Sequence, residues 1–196
     1  MNRITKNLIS KIENQIRQAS IRFELLLNLW GSQENIATLN QVAGNVFLQF
    51  QNSLIETVVM GVNRLCDPAQ DTRGNKNLSL ERLRSSLPKK FQKNKTLEQQ
   101  LLDLEGKIKK EVKKLNKFRS KRVAHNDYPT HVGNWHKTIS SLAIDSSLKM
   151  MQEFVNKIHL HFDNNSVDLL KHRYPITDGP DRLMSHLKRS LQSQKE

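Results

Sequence analysis

Apolar residues in this chain recur at three- and four-residue steps over long stretches, and few strand signals compete, which restricts the fold to packed amphipathic helices. Ile4, Leu8, Ile12, Ile16, Phe23, Leu26, Leu27 and Trp30 predict a first helix from near Ile4 to Trp30, ended by Gly31 and Ser32. Leu39, Val42, Val46, Phe50, Leu54, Val58, Gly61 and Leu65 share one face of a second helix reaching about Cys66, which Asp67-Pro68 closes. A polar loop over 69–77 contains Gly74, and a short helix over 78–87 has Ser79 as its N-cap. After a basic link beyond Pro88, Thr96 and Gln99 form a capping box for a third long helix running to about Ala124. Asp127, Tyr128, Pro129, Gly133 and Asn134 mark a loop, and Thr138 to Phe162 supplies the last long helix. The expectation is an all-α bundle of four to five helices over 1–163. A polar, basic tail over 164–196 carries a short helix from Asp181 to about Leu191, with Leu183, Leu187 and Leu191 four apart.

Composition narrows the function classes. A length of 196 residues suffices to bury a core, and 36% hydrophobic content with 7 Gly and 5 Pro belongs to an ordered globular chain. No uncharged apolar run reaches the roughly 18 to 20 residues that span a bilayer, and the polar, charged start lacks a signal-peptide core. A soluble, cytoplasmic protein is expected, without a membrane partner. The basic stretch Met1 to Arg22, with Glu13 its one acid, passes for a transit peptide in composition, but its pattern runs on into the first helix. The single cysteine, Cys66, rules out an internal disulfide and reads as a small apolar core residue. The formal charge of +13, with a pI near 10, suits a partner rich in phosphate. Between Arg82 and Arg122 stand 15 Lys or Arg against 4 Asp or Glu, a local net of +11.

The third helix changes character along its length. At 100° per residue, Leu97, Leu101, Leu104, Ile108, Val112, Leu115 and Phe118 fall within a stripe of about 120°, with Lys109, Lys110, Lys113 and Lys117 on the other side. The same winding carries Arg119 and Arg122 into the apolar stripe and His125 to its edge. Unpaired guanidiniums are costly to bury, so they find carboxylates, emerge at the bundle end, or line a place where an anion binds. Cations at the negative end of the helix dipole are also an ordinary helix ending. Spacing alone leaves both readings open. Arg119 and His125 stand about 120° apart on an ideal helix, so convergence needs irregular geometry, long side-chain reach or a second protomer.

The run Arg119-Ser120-Lys121-Arg122-Val123-Ala124-His125-Asn126-Asp127 resembles the R-x(4 to 6)-H signature of the HEPN superfamily, especially the R-N-K-x-x-A-H-x-D form of its abortive-infection AbiU-like branch. Asn63-Arg64-Leu65-Cys66-Asp67-Pro68 and Asn77 to Leu83 are similar to a second segment of that branch, so the resemblance covers about Leu54 to Phe162. It implies an all-α, HEPN-like bundle, usually a homodimer, with the Arg and His of both protomers meeting at a cleft, and in many members a metal-independent endoribonuclease. On that basis Arg119 would hold the scissile phosphate and His125 would be the general acid or base near the ribose 2′-hydroxyl. Ser120, Arg122 and Asp127 would support them, and Lys113, Lys117 and Lys121 would contact RNA. No metal or cofactor is implied, and a cognate antitoxin is a candidate partner. Ser120 stands where a polar Asn, Asp or His is usual. Tyr128 follows His125 by three residues, where modified toxins of this superfamily carry H-x-Y.

Other residues have competing readings. Asp127 either steadies His125, pairs with Arg122 or simply ends the helix. Arg64 and Asp67 pair with each other or reach the Arg119 region. His159 and His161 lie on different helix faces, and His131 and His136 flank a loop with Trp135, without the companions of a metal site. The functional expectation is an abortive-infection or toxin-type endoribonuclease. Its alternatives are a catalytically silent module binding RNA, a nucleotide or a protein, and a helical scaffold in which internal carboxylates neutralise Arg119 and Arg122.

Overall fold

The computed structural model describes residues 3–88, 95–115, 140–171 and 178–193. Among them the chain forms six helices and no strand: α1 (Arg3–Trp30), α2 (Gln33–Leu65), α3 (Leu80–Ser85), α4 (Lys95–Lys113), α5 (Ser141–Asp163) and α6 (Pro180–Ser193). The all-α bundle expected from the apolar periodicity is the fold observed.

Serines start three of the helices. Ser32, Ser79 and Ser140 each hold extended backbone and accept a hydrogen bond on the side-chain oxygen from the backbone N–H three residues on, at Asn35, Arg82 and Ala143. Ser79 is the cap expected. The capping box at Thr96 does not form: α4 has already begun at Lys95, and the Gln99 amide donates instead to Asp103 Oδ1 at 2.8 Å. The last long helix starts at Ser141 rather than Thr138, and ends on Asn164 in the left-handed conformation (φ 50°). Gly31 makes the two-residue link between α1 and α2 feasible, because a Cβ there would run into the carbonyl oxygen of Leu27.

The α1–α2 and α4–α5 hairpins face each other, and α3 bridges α1 and α4. Their shared core is built on Ile12, Ile16, Val58, Val62, Leu101, Ile108, Met151 and Phe154. Cys66 is half-buried against it, in keeping with an apolar packing role. The segment after α5 joins the same core through Leu169. Gln152 Oε1 accepts from the backbone N–H of Leu169 and Leu170, at 2.6 and 3.1 Å, and Asn156 Oδ1 from that of Val167 at 2.8 Å.

Three stripe assignments are overturned at their ends. Ile4 and Leu142 lie in the first turns of their helices and are 74% and 76% exposed. On α2, Val42, Val46 and Phe50 are exposed although Leu39, Leu54, Val58 and Leu65 are buried. Two causes combine here. The backbone leaves helical geometry at Ala43, which resets the facing of residues across it. In addition, α1 and α2, with 28 and 33 residues, reach roughly 42 and 50 Å, against roughly 29 and 35 Å for α4 and α5 with 19 and 23. The first hairpin therefore overhangs the second.

The overhang is where the tail docks. Met184 of α6 is buried with Leu29 and Leu39, and Trp30, Phe47 and Leu187 pack around them. Lys188 Nζ adds an ion pair to Glu34 at 2.6 Å. The helix faces inward on Met184, with Leu187 packed beside it, while Leu183 is 40% exposed.

Candidate functional site

The apolar stripe of α4 is buried as its spacing requires: Leu97, Leu101, Leu104, Ile108, Val112 and Leu115 are all inside. One charged residue sits among them. Glu105 is 5% exposed and takes a hydrogen bond from Arg84 Nε of α3 at 3.0 Å. The sequence signal for this pair is a carboxylate within the apolar stripe, one turn from Leu101 and Ile108, but its partner is 21 residues upstream and cannot be read from the helix alone.

The opposite face of α4 carries the lysines, which do not all behave alike. Lys109 reaches Glu81 of α3 at 3.2 Å, and Lys114 reaches Glu111 at 2.6 Å. Burial opposes ionisation of Glu81, yet the Ala69 N–H, the Lys109 ammonium and the Arg84 guanidinium outweigh it and hold its carboxyl below the ordinary glutamate range. Lys107, Lys110 and Lys113 are exposed and make no ion pair among the described residues. Among the described residues, three cations on one helix face thus have no carboxylate partner. Lys113, expected to contact RNA, is one of them.

The helix ends at Lys113. Residues 114–115 form a turn in which Lys114 and Leu115 N–H donate to carbonyls three residues back, at Glu111 and Val112, rather than four. The winding that placed Arg119 and Arg122 in the apolar stripe assumed unbroken α-geometry through these two residues. Arg119, Ser120, Arg122, His125 and Asp127, with Lys117, Lys121 and Tyr128, lie outside the described residues, as do His131, Trp135 and His136.

The described residues do fix where that connection starts and finishes. Lys157 of α5 meets Gln100 of α4 at 3.3 Å, so the start of α4 lies against the later part of α5 and the two run antiparallel. Leu115, 1% exposed, and Ala143, also 1%, anchor the facing ends. In sequence, the stretch holding Arg119 to His125 falls between these two ends.

Several upstream expectations can be settled. Between Arg64 and Asp67, the Asp67 backbone N–H donates to the Arg64 carbonyl at 3.2 Å, as α2 unwinds. The histidines of α5 differ in role: His161 sits edge-on to Phe162, whereas His159 is tied into the bundle. Its Nε2 meets Glu13 Oε1 of α1, and its Nδ1 lies 3.4 Å from Asp163 Oδ2. Sequence reasoning missed this clasp because Glu13 is 146 residues away. Among the described residues no group of three or more His, Cys, Asp or Glu is placed to hold a metal ion. No described helix is long and apolar enough to cross a membrane.

Comparison with protein-family models matches HEPN_AbiU2, described as AbiU2, over residues 4–178. The matched span takes in α1 to α5, the whole Arg119 to Asp127 run and the segment after α5, and stops short of α6. Neither the curated proteins nor the solved structures contain a match.

Proposed function

The chain belongs to the HEPN_AbiU2 family, and from that membership we propose that it is a metal-independent endoribonuclease of the abortive-infection or toxin type, with Arg119 and His125 as its catalytic pair. The observation that carries the reading is the Arg119-x5-His125 run within the matched span, followed by Asp127. Lys110 and Lys113, exposed and without an ion pair among the described residues, lie on the helix that precedes it in sequence and support an RNA substrate.

The chemistry asks little of the protein beyond these groups. In RNA the nucleophile is the ribose 2′-hydroxyl next to the scissile phosphate. His125 takes a proton from it or delivers one to the leaving 5′-oxygen, since imidazole titrates near neutrality. The Arg119 guanidinium pairs with the phosphate oxygens as negative charge grows on them. The 2′-oxygen bonds to phosphorus, the 5′-oxygen departs with a proton, and the products are a 2′,3′-cyclic phosphate and a 5′-hydroxyl. Arg122 and Asp127 position these groups, and Lys113, Lys117 and Lys121 hold the strand. Two protomers would together supply the Arg and His that an ideal helix sets apart. The setting proposed is the cytoplasm, under control of a cognate antitoxin.

The test is to incubate the purified protein, Arg119→Ala and His125→Ala with labelled RNA in EDTA and analyse the ends formed. Cleavage with cyclic phosphate ends by the unaltered protein, lost in both variants, is the expected result. Cleavage that survives His125→Ala would overturn the site. Salt-sensitive RNA binding without any cleavage would replace the enzyme with a silent binding module.

A further inference from the structure

The end of α1 and the part of α2 as far as Ile55 are nearly free of charge. From Leu25 to Ile55 the one charged residue is Glu34, in a chain that carries 32 Lys and Arg and 19 Asp and Glu. Glu34 is itself paired, with Lys188 of α6. We propose that the exposed face of α2 within this stretch is where a second copy of the chain docks, the two α2 helices packing about a two-fold axis near Val46. The inference goes beyond the ribonuclease reading and holds whether or not the protein cuts RNA.

Three observations carry it. First, past the bend at Ala43, Val46, Gln49, Phe50 and Ser53 stand at i, i+3, i+4 and i+7, the spacing of a stripe that packs against another element, yet all four are exposed. Val46 is 67% exposed, whereas Leu54 and Val58 farther along α2 are buried. One turn on from Ser53, the Thr57 hydroxyl donates to the Ser53 carbonyl at 2.7 Å, so it asks little of water. The neighbouring side of the overhang is already taken by α6, whose Met184 meets Leu29 and Leu39. Phe50 marks that border, lining a hollow together with Asp178 and Arg182.

Second, charge selects the occupant. A formal +13 repels a second copy wherever Lys and Arg are spread over the surface. Two-fold pairing sets identical surfaces face to face, so a basic surface meets cations and the α2 face meets none. Charged residues are depleted at the centres of protein interfaces because their desolvation is costly. Third, the size is sufficient. α2 from Gln33 to Ile55 is roughly 35 Å of helix, bent at Ala43. A standard interface of about 800 Å² per partner is about 30 Å across.

The test is sedimentation velocity of the full chain over a concentration series, at about 0.1 and about 0.5 M salt. Association should tighten severalfold at the higher salt, because screening removes the repulsion between copies and leaves the apolar contact. Val46→Lys, Val46→Glu and Gln49→Lys should each weaken it at least tenfold, with Leu160→Lys, at an exposed leucine of α5, as the unaffected control. All four positions are exposed, so helical circular dichroism should stay as in the unaltered protein. An equimolar mixture of Val46→Lys and Val46→Glu should recover association, since opposite charges then meet across the axis. Where two protomers also join through Arg119 and His125, the face variants should halve the mass of the larger assembly instead of yielding monomer.

An unaltered protein that stays monomeric up to about 0.1 mM would overturn the proposal. So would face variants that associate like the unaltered protein, or an equal loss in Leu160→Lys. Association that loosens with salt points to ion pairs or bridging RNA and removes the charge-free face as the contact. Absence of recovery in the mixture overturns the two-fold pairing at Val46.

Discussion

Removing Arg84 should destabilise the bundle far more than removing its partner. Glu105 has a side chain only 6% exposed, while the Arg84 side chain is 19% exposed and lies at the rim. In Arg84→Met the carboxylate keeps its buried place and loses its hydrogen-bond donor, and stranding a buried charge in this way costs about 3 kcal/mol. In Glu105→Leu the arginine can swing toward water, and leucine extends the apolar stripe beside Leu101, Leu104 and Ile108, so the net loss should stay below about 1 kcal/mol. The double variant should return to within about 1 kcal/mol of the unaltered protein, giving a coupling of at least about 2 kcal/mol in the cycle. Urea unfolding followed by helical circular dichroism measures all four. At this chain length, 3 kcal/mol corresponds to a fall of roughly 6 to 12 °C in melting temperature. Equal, small losses in both single variants, adding without coupling, would refute the claim that Glu105 depends on Arg84.

Two further outcomes follow from the other charged contacts. His159→Ala and Glu13→Ala should each lower stability by about 1 to 2 kcal/mol by opening the α1–α5 clasp, and their double variant should cost little more than either alone; additive losses in urea midpoints would refute the pairing. The Glu81 carboxyl titrates below its ordinary range in the folded state, so its contribution is complete above the unfolded glutamate value and fades as pH falls through the folded one. Glu81→Gln should therefore cost up to about 1 kcal/mol at neutral pH, with the gap to the unaltered protein closing in acid; a gap that stays constant down to pH ~3 would show that ionisation is not its source.

Helical periodicity carried most of the fold, and its failures have physical causes. The inner stripe of α4 and the Ser79 cap were legible because both depend on residues within one or two turns. The Thr96 capping box was a pattern of the right residues in the wrong register, one residue inside a helix that had already started. Val42, Val46 and Phe50 misled because a stripe records that a face is apolar, not that another helix is long enough to cover it. The kink at Ala43 has no sequence mark of its own, as alanine is the best helix former. Glu13 and His159, or Arg84 and Glu105, meet only after folding, so local pattern cannot pair them.

The same rule bears on the candidate site. A charge inside the α4 stripe was read at Arg119 and Arg122 and overlooked at Glu105, where the structure shows how such a residue is accommodated: α3 delivers an arginine to it. A scaffold reading of Arg119 and Arg122 requires the reverse, two carboxylates delivered to two arginines. Among the described residues, Glu81 holds Lys109, Glu105 holds Arg84 and Glu111 holds Lys114. Farther along, Asp145 and Glu153 hold Lys149 and Lys157. With 32 Lys and Arg against 19 Asp and Glu, the chain cannot neutralise its cations one for one. Some basic groups must therefore face water or an outside anion, and the stretch from Arg82 to Arg122 holds most of that excess.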